Sequence, residues 1–140
     1  MTLDLASITK AVDALEIAVA EAHHDDFMNS LSPQQQEIIR AGVIQHFEFT
    51  YELCWKFMQR WLAENVGRTY VDGVSRRELF RLAAEHRLIT DVEAWWDYHR
   101  ARNLTSHIYD EDVAAEVFQV ATLFLDDAQL FLAALEDRND

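Results

Sequence analysis

Gln45-His46-Phe47-Glu48-Phe49-Thr50-Tyr51-Glu52-Leu53-Cys54-Trp55-Lys56-Phe57-Met58-Gln59-Arg60-Trp61-Leu62 is the stretch whose pattern fixes the fold class. Stepping about 100° per residue, Gln45, Glu48, Glu52, Lys56 and Gln59 fall on one polar stripe. The rest of the circumference carries Phe47, Phe49, Tyr51, Leu53, Cys54, Trp55, Phe57, Met58, Trp61 and Leu62. A helix apolar over so wide an arc must be covered on several sides. Neighbouring helices can do this, and a bundle with a second subunit does it more easily. His46 and Thr50 lie within the apolar arc. A hydrogen-bonded core histidine is the simpler reading of the first.

Working outward, Ser32-Pro33 opens this helix, with Ser as N-cap and Pro at the first helical position. Gly67 is expected to close it as a left-handed C-terminal residue, after a span of roughly 50 Å. An earlier helix, about Leu3 to His23, carries a narrow apolar seam at Ile8, Val12, Leu15 and Val19. His23, His24, Asp25 and Asp26 read as its end and a solvated loop. Adjacent histidines there lack the fixed spacing of a structural metal site. Arg68 to Gly73 is non-periodic. Ser75-Arg76-Arg77-Glu78 and Thr90-Asp91-Val92-Glu93 read as capping boxes starting two further helices. The second of these includes Trp95, Trp96 and Tyr98 and frays near Thr105 or Ser106. A last helix starts at Tyr109 or Asp110, its apolar face running from Val113 to Leu135. The expected fold is all-α, an antiparallel up-and-down bundle of about five helices. Residues 1–140 form one domain in this reading.

Composition agrees with this. Half of the 140 residues are hydrophobic, with only three glycines and one proline to interrupt helices. The single cysteine, Cys54, excludes an internal disulfide and reads as a buried structural thiol. Asp4 interrupts the N-terminus, no signal-type apolar segment follows, and no run approaches a membrane span, so a cytoplasmic protein without membrane association is expected. The net charge of −13 repels nucleic acid on average, so RNA binding requires a local basic patch or a partner's charge. Seven of the twelve basic residues, Arg68, Arg76, Arg77, Arg81, Arg87, Arg100 and Arg102, do fall within 35 positions.

The chemistry concentrates in Arg102-Asn103-Leu104-Thr105-Ser106-His107-Ile108-Tyr109. Arginine holds phosphate through a rigid fork of donors, and histidine moves protons near neutral pH. On a straight helix Arg102 and His107 would lie about 140° apart. A helix end between them would let the turn bring His107 back toward Arg102 and the Asn103 amide. RNA self-cleavage needs a base for the 2′-hydroxyl proton, an acid for the leaving 5′ oxygen and a cation for the phosphorane. One histidine per chain is short of one proton carrier, and a two-fold dimer would supply both. The same residues also suit an ordinary polar helix end, with Arg102 paired to Asp97, Asp110 or Glu111, His107 capping and Tyr109 packing. Chemistry alone leaves both readings open.

The octet resembles the Arg-x4-His-x-Tyr signature of the HEPN superfamily. Gly42 to Lys56, Ser75-Arg76-Arg77-Glu78, Trp96, and Arg102 to Asp110 together resemble the nucleotidyltransferase substrate-binding proteins within it, in order along nearly the whole chain. The resemblance implies a helical homodimer and a partner, a separate minimal nucleotidyltransferase often encoded nearby. Two functions follow from it. In one, the helical chain is a non-catalytic substrate-binding subunit of the transferase. In the other, as in HepT-like toxins, it is a metal-independent ribonuclease of a toxin–antitoxin pair, and the transferase adenylylates the signature tyrosine. By this resemblance Arg102 stabilises phosphate, His107 carries the proton, Asn103 shapes the site and Tyr109 is the modification target. Glu48 and Glu52 match the second-helix block and are expected to buttress Arg102 or the dimer seam. No cofactor is expected, and no glycine-serine followed by paired aspartates marks a transferase in this chain.

Overall fold

The computed structural model describes residues 2–139. Its helices are α1 (Ala6–Ala22), α2 (Asp25–Asn29), α3 (Pro33–Asn65), α4 (Arg68–Val71), α5 (Arg76–Glu85), α6 (Val92–Asn103) and α7 (Glu111–Asp137), with a 3₁₀ turn at Leu104–His107. No strand occurs among the described residues. The long α3 forms the spine, packed against α1, α5, α6 and α7.

Side-chain pairs give the helix directions. Leu3 bonds to Asn139, Glu16 to Gln129, and His23 stacks on Phe118, so α1 and α7 run antiparallel. Tyr98 meets Asp127 and Trp95 meets Phe131, so α6 and α7 are antiparallel as well. The centre is an aromatic nest in which Phe124 takes edge-on contacts from Phe47, Tyr51, Trp95 and Tyr98. Such edge-to-face pairs add to the area they bury. Thr50, buried inside the apolar arc, satisfies its hydroxyl on the His46 carbonyl at 2.7 Å. His46 itself is half-buried, and Cys54 is fully buried.

Local signals at the helix ends have clear counterparts. Ser32 and Gln35 form a reciprocal capping box at the start of α3. Ser75 caps α5 through the Glu78 N–H, but the Glu78 carboxylate turns to Arg81 and does not reach back. Asp91, not Thr90, caps α6, accepting from the Ala94 N–H at 3.1 Å. Asp110 caps α7. The two stretches expected as loops each hold a short helix, α2 and α4, which brings seven α-helices among the described residues where about five were expected. Both are too short to carry a readable period. Gly67 follows α3 with φ 136 and ψ 143, outside the left-handed helical region and in one that glycine alone adopts readily.

The expectation that no run approaches a membrane span needs correction. By length and composition α7 is apolar enough to cross a membrane. Part of this apolar character belongs to the core, where Val117, Ala121, Phe124, Ala128, Phe131, Leu132 and Leu135 are buried, while Leu123 and Leu130 are exposed.

Candidate functional site

The site forms where the end of α6 crosses the middle of α3. Arg102, on the last turn of α6, donates from Nε to Glu52 Oε1 at 2.7 Å. The second carboxylate oxygen of Glu52 accepts from Trp55 Nε1 at 3.0 Å, so Glu52 is held from both sides. Only Nε of Arg102 is engaged among the described residues. The two terminal nitrogens keep their donors, the edge with which a guanidinium grips a phosphate.

A second layer extends from this pair. Tyr51, next to Glu52, places its hydroxyl 2.8 Å from His99 Nδ1. Arg76, from the first turn of α5, donates to the Tyr51 oxygen at 3.4 Å and lays its guanidinium 3.6 Å above the Trp55 ring. On the other side of His99, Nε2 lies 3.4 Å from the Asn103 amide nitrogen. Turning that amide over would set its oxygen against Nε2 and satisfy the whole chain. Arg76 would then donate to Tyr51, Tyr51 to His99 Nδ1, and His99 Nε2–H to Asn103. Burial, then the charge of Arg76, lower the pKa of His99 below 6.5, against a smaller upward pull from Glu52 and with a still smaller downward one from Arg102. The imidazole is therefore neutral at pH 7. Burial pushes the Tyr51 hydroxyl well above its usual range, so it stays protonated.

The remaining residues of the octet lie further along. α6 ends at Asn103, and the 3₁₀ turn carries the chain to His107, which is exposed. Thr105 ties the turn to the Arg102 carbonyl at 2.8 Å. His107 makes no hydrogen bond to Arg102. Its ring meets Tyr109 edge-on, with centroids 6.0 Å apart. Tyr109 is 83% exposed, at the lip of a groove of about 1050 Å³ between the first halves of α3 and α7. Glu48 is half-buried one turn before Glu52 and makes no ion pair or hydrogen bond among the described residues. The buttress of Arg102 is thus Glu52 and not Glu48. Arg102 also avoids the three carboxylates considered from sequence. Asp97 pairs with Arg100, and Asp110 is engaged in capping α7. No three His, Cys, Asp or Glu side chains converge as metal ligands among the described residues.

Tyr51, Trp55, Arg76 and His99 escaped the sequence reading as site residues. His99 had one usable signal, its position three residues before Arg102 on the same helix face. Tyr51 was hidden in the apolar arc and Arg76 inside a capping motif.

A helical bundle that presents an anchored arginine followed by an exposed histidine and tyrosine belongs to a known class. The chain is a member of the family described as nucleotidyltransferase substrate binding protein like, which it matches over residues 3–137. It is 32% identical over 138 residues to a Haemophilus influenzae protein named "Probable ribonuclease HepT", covering 98% of this chain and 94% of that one. Its fold is similar to that of a solved Haemophilus influenzae protein described as the substrate-binding domain of a nucleotidyltransferase. That match has a TM-score of 0.91 and 30% identity, over 95% of this chain and 99% of the other. A solved Thermus thermophilus protein matches at a TM-score of 0.69 and 29% identity, over 89% of this chain and 98% of the other.

Proposed function

We propose that this chain is a HEPN-type endoribonuclease that works without a metal, paired in a toxin–antitoxin system with a minimal nucleotidyltransferase encoded nearby. The observation that carries the reading is Arg102, fixed by Glu52 through Nε with its phosphate-gripping edge unoccupied, on the turn before the exposed His107. The name of the Haemophilus relative supports the same activity. In this account Arg102 neutralises the phosphate and stabilises the phosphorane, His107 transfers the proton, and Asn103 orients the substrate. Domain 1–140 acts as a unit in the cytoplasm, away from membranes.

The reaction needs two proton carriers, and a homodimer supplies the second His107. The exposed face of α3 supports a dimer. Ile38 and Phe49 are 69% and 60% exposed and lie within about 20° of each other around the helix, along the stripe that holds Gln45 and Glu52. Exposed apolar side chains aligned in this way are a surface that association would cover. Tyr109 is the target of nucleotide transfer by the partner. Its exposure makes the hydroxyl reachable, and an attached nucleotide would add bulk and negative charge beside His107, blocking RNA by overlap and like-charge repulsion.

The test is cleavage of total cellular RNA by the purified chain in excess chelator, beside His107→Ala, with the intact mass checked for modification of Tyr109. The reading requires cleavage by the unmodified parent and none by the variant. The alternative, a non-catalytic substrate-binding subunit of the transferase, draws on the family description and on that of the solved Haemophilus domain. It requires no cleavage by unmodified dimer and a change in transferase activity when the chain is added.

A further inference from the structure

Between Arg102 and the start of α5 lies a continuous surface of flat groups. Arg76 covers the Trp55 ring at 3.6 Å. His99 lies against Trp96, with centroids 5.1 Å apart and planes tilted by 32°. Arg77 stands 5.0 Å over Trp96. Trp55, Trp96, Arg76, Arg77 and His99 are all half-buried, and Asn103 at the end of the row is exposed. Folding alone does not require this arrangement. Two tryptophans remain incompletely buried beside a core that fully covers Phe47, Phe57, Phe80, Phe124 and Phe131.

The charge of the surface is also against the trend of the chain. Acidic residues outnumber basic ones by 25 to 12, yet Arg76 makes no ion pair among the described residues. Arg77 pairs with Glu93 and Arg102 with Glu52, so three arginines face two carboxylates. With Glu48 unpaired among the described residues one turn before Glu52, the patch is close to neutral on a strongly negative molecule.

On α6, Trp96, His99 and Asn103 fall on one face over seven residues, about 10 Å, and Arg102 borders it. Interleaved aromatic rings and guanidinium planes accept stacked bases of any sequence, and unpaired guanidinium groups track the phosphates between them. The exposed Asn103 amide, bonded to His99 through its oxygen, keeps its N–H donors for a base edge. Paired bases in a duplex offer no free face to such a surface, and unstacked bases do.

We propose that Trp96, His99, Asn103, Arg76 and Trp55 form a platform that takes an unstacked base of single-stranded RNA beside the phosphate held by Arg102. This rests on the reading that the site receives RNA. It also answers the −13 charge, because binding is confined to a patch where stacking groups meet the unpaired Arg76.

The experiment is equilibrium binding of a fluorescently labelled single-stranded 12-nucleotide RNA of mixed sequence to the His107→Ala chain in chelator, over a range of salt. Trp96→Leu keeps an apolar side chain and removes the stacking face, and Arg76→Gln removes the unpaired charge. Both are compared with the parent, after their urea midpoints establish that they fold. Trp96→Leu is expected to weaken binding about tenfold. Arg76→Gln is expected to flatten the slope of log K against log salt by about 0.7, the loss of one phosphate contact on a single strand. A duplex of the same sequence binds more weakly than the single strand. The proposal is overturned if the parent binds no single-stranded RNA, or if both variants bind as tightly as the parent with its salt slope. A chain that binds with these dependences and never cuts RNA leaves the platform standing and ends the ribonuclease reading. A chain that cuts RNA with KM unchanged in both variants ends the platform alone.

Discussion

Replacing Glu52 with alanine removes the acceptor for Arg102 Nε at 2.7 Å and for Trp55 Nε1 at 3.0 Å. The pair is neither buried nor free in solvent, since the two side chains are 36% and 31% exposed. Exposed ion pairs contribute about 0.2–1 kcal/mol, and hydrogen bonds to charged groups up to about 3 kcal/mol when sheltered. At this exposure about 1 kcal/mol is expected for the Arg102 contact and about 0.5 kcal/mol for Trp55. The single change should therefore cost about 1.5 kcal/mol, or roughly 3–6 °C in Tm for a chain of this size. The assay is urea unfolding of Glu52→Ala, Arg102→Ala, the double variant and the parent. A coupling of about 1 kcal/mol is expected between the two positions. RNA cleavage should show the same dependence, with Glu52→Ala costing nothing further once Arg102 is gone. A coupling below about 0.3 kcal/mol would refute the claim that Glu52 anchors Arg102.

Other consequences can be checked on the same protein. Phe124 is fully buried among four aromatic rings, so Phe124→Ala should cost about 3–5 kcal/mol in urea unfolding, and a loss under about 1 kcal/mol would remove it from the centre of the core. Because the folded pKa of His99 lies below 6.5, the unfolded chain takes up that proton first. Its contribution to stability is complete above about pH 6.5 and is lost as pH falls from there toward the folded pKa. Urea midpoints measured from about pH 8 to pH 5 should accordingly decline less steeply in His99→Gln than in the parent, and equal slopes would contradict this. Gly67→Ala forces a side chain onto φ 136 and should cost about 1–3 kcal/mol, read as a drop in Tm. Burial raises the pKa of Cys54, so an aromatic disulfide reagent should label it only as fast as the chain unfolds.

Much of the architecture was legible because it rests on periodicity and caps. Val12 and Leu15 on α1, most of the apolar arc of α3 and the face of α7 from Val117 to Leu135 are buried positions that the 3.6-residue period marks, while Phe49 of that arc is exposed. Ser32, Ser75 and Asp110 cap as local chemistry predicts. The short helices α2 and α4 were not legible, since four or five residues carry less than two turns of pattern. The capping signature starting at Thr90 was off by one position, since Asp91 is the cap. At the site, Arg102 and Glu52 could be singled out, but their contact spans 50 residues of sequence and no local pattern encodes it. Tyr51 illustrates the deeper limit. Its ring belongs to the core and its hydroxyl to the site, so an apolar pattern hides the polar end. That α7 is long and apolar enough to pass for a span was missed, and mean hydropathy does not distinguish a core helix from a spanning one.

The central claim is that Arg102 and His107 cut RNA through the substrate's own 2′-hydroxyl. The most direct measurement is cleavage, in excess chelator, of an end-labelled oligoribonucleotide cut by the parent, beside the same sequence carrying a 2′-deoxy residue at the cut position. The account predicts that the parent cuts the first and not the second, leaving a 5′-hydroxyl and a 2′,3′-cyclic phosphate, and that His107→Ala cuts neither. Cutting of the 2′-deoxy strand, or equal cutting of the first by parent and variant, would contradict it.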